Sequence, residues 1–339
     1  MEKQTSQSQP NKQKGIMLSF VSLLLLGTLP VISNSRPQAL NALNFSFYLS
    51  LWQLFCAVPL LFFEINQGIL DKELPVKSRN QTIRIMFITG IIFSFSTLLY
   101  VVSFETAGTV SAAIAIQAYP LFSILLETIF LKRKKTSKEL FFTSLLIGGI
   151  YFLGTKGTWA IEGFSPWFGL ALTVPFLWSI AHVTIKNTLD KSPITPNQVT
   201  FLRVLTSSII LFVIAASVNG VTSVVNGLLD TEFLIYSFSM GFVYYLELVN
   251  WFYAVKHVDV SVASSITTPT PVITMILAIL FLNESIEFYQ LLAMGVVFLS
   301  LYGIIYFGKR KKTYDGLLSG VSADQQAEML QENWSYGED

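Results

Sequence analysis

The chain has 339 residues, of which 52% are hydrophobic and 13% charged, with a net charge of +1 and a mean hydropathy of +0.57. Soluble globular proteins carry about 25% charged residues, so this deficit predicts that most of the chain is shielded from water. The near-zero net charge gives no electrostatic support for a nucleic-acid partner, and a single cysteine excludes an intrachain disulfide.

Ten apolar stretches follow one another, each close to the ~20 residues that a membrane-spanning helix needs. In order they are 16–34, 45–64, 84–104, 109–131, 138–156, 165–186, 197–217, 231–254, 259–282 and 288–308. The polar segment before the first stretch lacks a convincing cleavage site, so a retained span is predicted rather than a signal peptide. The tail from Thr313 to Asp339 is polar and acid-rich and is predicted to be disordered.

Lysine and arginine are distributed unevenly between the two sides that alternating spans define. With the N-terminus inside, only Arg36 and Lys156 of the 22 Lys and Arg residues fall in outer segments, and only Arg203 lies within a span. Cytoplasmic loops carry an excess of positive charge in membrane proteins. Both termini are therefore predicted to lie in the cytoplasm, with the chain in a cell membrane (inner or plasma).

The two halves of the chain resemble each other weakly over their whole length. Alignment places Gln53 on Arg203 and Pro120 on Pro271. Each half holds five spans, and an odd number makes the second half enter the membrane from the opposite side. The predicted fold is therefore all-α, with ten transmembrane helices as two inverted five-helix repeats. The predicted boundaries are a cytoplasmic N-terminal tail 1–15, a first repeat 16–156, a second repeat 157–308 and a cytoplasmic C-terminal tail 309–339.

Proline interrupts the same part of one span in each half. Val110–Leu131 and Val260–Leu282 both begin Val-Ser, meet proline and run apolar to Phe-Leu. Proline removes an amide donor and frees a carbonyl one turn back, so the pattern predicts interrupted helices, which mark binding sites in transporters. The predicted hinge residues are Pro120, Pro269 and Pro271. The threonines of the second copy either contact substrate or return their hydroxyls to freed carbonyls, and both readings stay open.

Several of these segments carry a family resemblance. Val199–Arg203 (VTFLR), Trp251–Val258 (WFYAVKHV) and Val260–Glu284 resemble the drug/metabolite transporter superfamily with two EamA-type repeats. The first half departs from the pattern, since Gln53 stands where the family often has Arg and Leu-Lys-Arg at 131–133 replaces Leu-Gly-Glu. The resemblance implies a ten-helix transporter whose cavity is lined by spans 1, 3, 4, 6, 8 and 9. Its members move amino acids, nucleobases, vitamins, polyamines or drugs, in either direction.

Glu247 lies deep in the eighth span, where a carboxylate is costly unless it faces the bundle, pairs with a cation or is protonated. A mixed stripe surrounds it at helical spacing, and this mixture fits a cavity wall better than a lipid-facing surface. The stripe consists of Met240, Tyr244, Glu247, Asn250 and Trp251. We predict that Glu247 couples transport to protons or binds a substrate amine. The alternative is a structural carboxylate tied to a neighbouring helix.

Other polar and aromatic side chains complete the predicted site. Trp178 and His182 share one face of the sixth span, and His182 is read either as a proton relay or as a hydrogen-bonded interfacial histidine. The predicted substrate-binding residues are Tyr100, Gln117, Trp178, Tyr244, Glu247, Asn250, Thr267 and Thr270. The predicted proton-coupling residues are Glu247 and His182.

Arg203 is interpreted as structural, because it lies near the inner end of the seventh span and its side chain can extend to the headgroups. Glu127 is expected to pair with the nearby Lys132–Lys135 cluster or with Arg203. Trp251 is also a candidate for the aromatic belt at the membrane interface. With no other cation inside a span, the sequence disfavours a large or phosphate-bearing anionic cargo.

No metal-ligand cluster, catalytic set or phosphate-binding glycine motif is evident, so neither an enzymatic activity nor a cofactor is predicted. We interpret the chain as a secondary active transporter, an exporter of a small amino-acid-like or drug-like metabolite, with protons as the candidate coupling ion. The expected partners are this substrate and membrane lipid, in a monomer or homodimer. The alternatives are an importer or facilitator of a vitamin, nucleobase or nucleotide-like metabolite and, in another class, a membrane-embedded enzyme or partner protein.

Overall fold

The computed structural model describes residues 11–37, 41–66, 76–119, 121–122, 126, 136–160, 165–191, 194–258 and 260–318. Twelve helices account for most of these residues. They are α1 (Lys12–Ser35), α2 (Ala42–Asn66), α3 (Val76–Ala107), α4 (Thr109–Ile116), α5 (Ser137–Gly154), α6 (Pro166–Lys191), α7 (Pro196–Asn219), α8 (Val221–Asn226), α9 (Thr231–His257), α10 (Val260–Thr267), α11 (Thr270–Leu282) and α12 (Phe288–Leu318).

Among the described residues, seven helices are long and apolar enough to cross a membrane, namely α1, α2, α3, α6, α7, α9 and α12. The chain is therefore a multi-pass membrane protein. The predicted fifth span corresponds to α5, which has 18 residues. The predicted disorder from Thr313 onward is wrong at its start, because α12 continues to Leu318. Each added residue extends the helix by one hydrogen bond, so a helix can outlast its apolar segment. Residues 319–339 lie outside the described part.

The predicted ninth span is broken at Thr268 and Pro269. Thr268 N still donates to the carbonyl oxygen of Ser264 at 2.9 Å, and Val272 N then donates to that of Pro269 at 2.9 Å. Pro269 has no amide hydrogen, so the helical ladder stops there and begins again in α11. The predicted fourth span also breaks, because α4 ends at Ile116 and a turn follows.

Helices from the two halves of the chain pack against each other. α1 packs along α9, and α3 packs along α6. α2 packs along α7, and α5 packs along α12. In addition, α2 contacts α9 while α3 contacts α7. The interrupted helices are held in the same way, since α10 and α11 lie against α1 and α4 lies against α6.

Glycine permits two of the closest helix contacts. A Cβ added to Gly90 of α3 would lie 2.5 Å from the Cβ of Thr206 in α7. A Cβ added to Gly241 of α9 would lie 2.6 Å from the Cβ of Trp52 and 2.8 Å from the carbonyl oxygen of Leu49, both in α2. Small residues let membrane helices approach backbone to backbone, which is what these two crossings require.

Polar contacts join α2 and α7 at both of their ends. At the start of α2, Asn44 Oδ1 accepts a hydrogen bond from Asn219 Nδ2, at the end of α7, at 2.8 Å. At the other end of α2, the carboxylate of Glu64 accepts from Thr195 Oγ1 at 2.6 Å and from Asn197 Nδ2 at 2.8 Å, where α7 begins. The two helices therefore run antiparallel.

A second polar cluster closes the bundle where α1 and α3 end. Arg36 and Glu105 form an ion pair at 2.5 Å. Asn34 Nδ2 donates to Thr109 Oγ1 at 2.6 Å, and the backbone amide of Thr109 donates to Glu284 Oε1 at 3.2 Å. These contacts, which we call the end latch, tie α1, α3 and α4 to the connection between α11 and α12.

Candidate functional site

A cavity between the interrupted helices and the long ones has about 590 Å³ of space free of protein atoms, including space open to solvent. The first half of the chain lines it with Leu26, Ile116, Gln117 and Tyr119. Helices α6 and α9 add Trp178, His182, Tyr244, Glu247, Leu248 and Trp251. Helix α10 completes the wall with Ser264 and Thr267. Both halves of the chain therefore contribute to one site.

Two aromatic rings in the cavity wall stack against a third ring that lies behind them. The ring of Tyr100, from α3, lies 5.5 Å from that of Trp178 and 5.9 Å from that of Tyr244, with interplanar angles of 30° in both cases. Tyr100 is 1% exposed and stands behind the two rings that reach the cavity. It therefore supports the predicted site from the second layer instead of lining it. Flat aromatic surfaces of this kind suit a planar or cationic ligand.

Glu247 is the only Asp, Glu, Lys or Arg among the described lining residues. It is 6% exposed, and it shares its helix face with Met240, Tyr244 and Trp251, all of which are buried. The structure thus places the predicted stripe toward the bundle, as burial of a carboxylate in a membrane requires. Asn250 departs from the stripe, because its amide turns back and donates to the carbonyl oxygen of Leu246 at 2.7 Å.

Arg203 lies in the bundle interior, so the prediction that it extends to the headgroups is wrong. Its side chain is 1% exposed, and its guanidinium carbon lies 3.5 Å from the centroid of the Phe93 ring. It interacts electrostatically with Tyr244 and Glu247, and it forms no ion pair with Glu247 among the described residues. The reason is that this face of α7 packs against α3 and α9 and not against lipid.

His182 stands in a ring of aromatic side chains at the cavity wall. Its imidazole lies 5.4–6.2 Å from five neighbouring rings, those of Phe93, Tyr119, Trp178, Trp251 and Phe252. Neither imidazole nitrogen has a hydrogen-bond partner among the described residues. The interfacial, hydrogen-bonded reading of His182 is therefore wrong, because the side chain faces the cavity.

The polar residues of the interrupted helices divide between the cavity and the helix break. Gln117 and Thr267 line the cavity as predicted. Thr270 does not, and its hydroxyl donates to the carbonyl oxygen of Thr267 at 2.6 Å. Thr268 likewise donates to that of Ser264 at 2.8 Å. For these two threonines the structure supports the reading in which hydroxyls satisfy carbonyls near a helix break.

The predicted hinge residues and charged pairs have mixed outcomes. Pro269 and Pro271 lie at the break and in the first turn of α11, so the interruption is where the sequence placed it, while their role as hinges stays a prediction. Pro120 and Glu127, with the Lys132–Lys135 cluster, lie outside the described residues.

Trp251 is 7% exposed and lines the cavity, so its interpretation as an interfacial belt residue is wrong. Sequence reasoning also missed Leu26, Ile116 and Leu248 as lining residues, and nothing in a uniformly apolar span distinguishes them. Arg203 was missed as part of this region, although an ionisable residue within a span is itself a signal of function.

The described residues include no group of three or more His, Cys, Asp or Glu side chains placed to hold a metal ion. What the arrangement offers is recognition: aromatic side chains and one carboxylate line the cavity, and one buried guanidinium lies behind its wall. Such a site can bind a small planar molecule and respond to its charge.

Comparison with known proteins extends these observations. The EamA-like transporter family model matches the chain twice, at residues 13–155 and 165–306. A search of curated proteins finds no match. One crystal structure, described only as that of a protein, aligns with a TM-score of 0.58 at 14% sequence identity, over 87% of this chain and 98% of that chain, and so shows a shared fold. With two family repeats covering nearly all of its helical part, the chain belongs to the EamA-like transporter family.

Proposed function

We propose that this membrane transporter is a secondary active transporter that exports a small amino-acid-like or drug-like metabolite by alternating access, with proton coupling at Glu247. The observation that carries the proposal is the cavity itself. Residues from both family repeats enclose it, and they surround one carboxylate that lies deep in the bundle. Transporters built from repeats bind cargo at such an interface, near interrupted helices.

The ten-helix, inverted-repeat architecture is part of this proposal, and the helix contacts support it. Exchanging the two halves would turn the α1–α9 pair into the α6–α3 pair and would map the α2–α7 and α5–α12 pairs onto themselves. The corresponding helices α2 and α7 run antiparallel, as repeats of opposite orientation require. Five spans in each half would produce that inversion.

The end latch supports alternating access with both termini in the cytoplasm of a cell membrane. In that orientation α1 and α3 end on the outer side, where the Arg36–Glu105 pair and the Thr109–Glu284 contact close the bundle. On this reading the structure is closed to the outside, and the latch must open during each cycle. A rocking motion of one repeat against the other would open it.

Proton coupling rests on the position of Glu247 and on the groups that face it. These are Arg203 from α7, Tyr100 from α3, Tyr244 on its own helix and His182 across the cavity. From α1 and α10 the cavity receives Leu26, Ser264 and Thr267, none of which titrates near neutral pH. Glu247 is thus the carboxylate positioned to meet both a proton and a cargo molecule in turn.

The direct test reconstitutes the full chain in liposomes and measures counterflow of pooled metabolites at several pH values. Saturable, pH-gradient-dependent flux in the wild-type protein is expected, and Glu247→Gln should keep counterflow of bound cargo while losing the response to the gradient. Saturable uptake that ignores the gradient in the wild type would instead indicate a facilitator. Net accumulation against the export direction would identify an importer. Absence of any saturable flux across the pools would contradict the transporter proposal.

A further inference from the structure

The charge of the cavity is unusually simple among the described residues. Glu247 is its one lining Asp, Glu, Lys or Arg, and Arg203 is the buried cation that interacts with it. Both side chains are nearly inaccessible to water, at 6% and 1% exposure. In such surroundings a balanced pair of charges is tolerated far better than either charge alone.

Arg203 reaches the cavity through another residue. It does not line the cavity and forms no direct ion pair with Glu247 in the described part of the chain. Its guanidinium carbon lies 3.5 Å from the centroid of the Phe93 ring, and that ring lies 5.4 Å from the ring of His182 at the cavity wall. The charge of Arg203 is therefore held at a constant place behind the wall, and Arg203 is a positioning residue rather than a cargo contact.

An aromatic cavity with a carboxylate would ordinarily favour an organic cation. Arg203 changes that expectation. A cation seated on Glu247 would leave the charge of Arg203 without compensation, whereas a neutral or zwitterionic molecule would leave the pair balanced. The aromatic side chains of Trp178, Tyr244 and Trp251 line the cavity beside Glu247, and aromatic surfaces favour contact with a planar ring.

We propose that Arg203 balances the charge of Glu247 and thereby makes the cavity select planar aromatic cargo with no net charge. This inference rests on the proposed function, since it assumes that the cavity holds the cargo. The sequence disfavours anionic cargo because it places no cation other than Arg203 within a span. The structure gives a different reason, since the cavity already contains the carboxylate of Glu247.

The test compares four indoles that share one ring and differ in charge: tryptophol (neutral), tryptophan (zwitterion), tryptamine (cation) and indole-3-acetate (anion). Calorimetric binding to the purified full chain should rank the first two about tenfold or more above the last two in affinity. Arg203→Met should reverse the ranking in favour of tryptamine, and Glu247→Gln should shift it toward indole-3-acetate. The double variant should recover the preference for tryptophol.

Controls separate charge selection from loss of structure. Arg203→Lys keeps the charge and should keep the wild-type ranking. Gln53→Met removes the buried amide at the aligned position on α2, which does not line the cavity, and should also leave the ranking unchanged. Because ranks are compared within one variant, reduced stability cannot imitate a reversal. If Arg203→Met does not fold, Glu247→Gln alone decides the matter.

The inference is overturned if Arg203→Met or Glu247→Gln keeps the wild-type ranking, or if the wild type binds tryptamine best or binds none of the four indoles. Its failure is distinguishable from failure of the proposed function, because counterflow of pooled metabolites is a separate measurement. Flux without charge selection would retain the transporter and reject the role of Arg203.

Discussion

The guanidinium carbon of Arg203 lies 3.5 Å from the centroid of the Phe93 ring. Phe93 is 1% exposed, so this cation–π contact is shielded from water. A desolvated contact of this kind contributes about 2 kcal/mol. Phe93→Leu keeps most of the apolar volume and removes the π face. We therefore expect the free energy of unfolding in detergent to fall by about 1–2 kcal/mol, which is measured as a lower melting temperature. Phe95→Leu, at a position 48% exposed on the same helix, is the control. Equal melting temperatures for the two variants would contradict the assigned contact.

Adjacent glycines in α5 provide a matched pair of substitutions. A Cβ at Gly149 would lie 2.8 Å from Val296 Cγ1 in α12, whereas a Cβ at Gly148 would meet nothing within 4 Å. Gly149→Ala should destabilise the protein by about 1–3 kcal/mol through overpacking. Gly148→Ala should stay within about 0.5 kcal/mol of the wild type. Thermal unfolding of both variants measures the difference, and a Gly148→Ala effect as large as that of Gly149→Ala would show that α5 faces α12 differently.

Glu64 holds the beginning of α7 through two hydrogen bonds, from Thr195 Oγ1 and Asn197 Nδ2. Glu64→Gln replaces one acceptor oxygen with a donor and places it against a donor in the same buried cluster. We expect a loss of about 1–3 kcal/mol in the free energy of unfolding, the usual penalty for an unsatisfied buried polar group. Glu287→Gln, at an exposed position outside the helices, should have little effect. Wild-type stability in Glu64→Gln would show that the cluster does not depend on a carboxylate.

The Arg36–Glu105 pair should control access to the cavity from the face where α1 and α3 end. Burial lowers the pKa of Arg36, and the neighbouring Glu105 carboxylate opposes that shift. Glu105→Gln removes the counter-charge of a side chain that is 5% exposed and so weakens the closed arrangement. We expect labelling of a Ser264→Cys reporter, on a Cys56→Ala background, by a membrane-impermeant maleimide to accelerate about threefold or more from that face.

Glu232→Gln is the control for this access experiment, because Glu232 is an exposed acid in the first turn of α9 on the same face of the bundle. Unchanged labelling in Glu105→Gln would show that the Arg36–Glu105 ion pair does not control access from this face. Acceleration by Glu232→Gln of the same size would attribute the effect to general surface charge.

The positions of the helices could be read from local pattern. Apolar length sets where a helix can lie in a membrane, and the break at Pro269 follows from a missing amide hydrogen. The inward face of α9 could also be read, because the stripe containing Tyr244, Glu247 and Trp251 repeats at helical spacing. Asn250 does not belong to that face, since it does not line the cavity and its amide donates to the carbonyl oxygen of Leu246.

Other features depended on partners far away in the chain. Thr267 and Thr270 are the same residue type three positions apart, yet only Thr267 lines the cavity. The reason is that the turn at Thr268–Pro269 redirects the chain between them. Leu26 belongs to the site only because α1 packs along α9 and beside α10. No single-span pattern contains that information.

The sequence by itself determined the membrane location, the helix-breaking prolines and the carboxylate at Glu247, since each follows from the hydropathy or backbone chemistry of a short segment. Only the tertiary structure decided that Arg203 turns inward. An arginine near a helix end can reach headgroups or a buried partner with equal ease. The inward orientation is stabilised by Phe93 and Tyr244, which the fold brings close to Arg203 from two other helices.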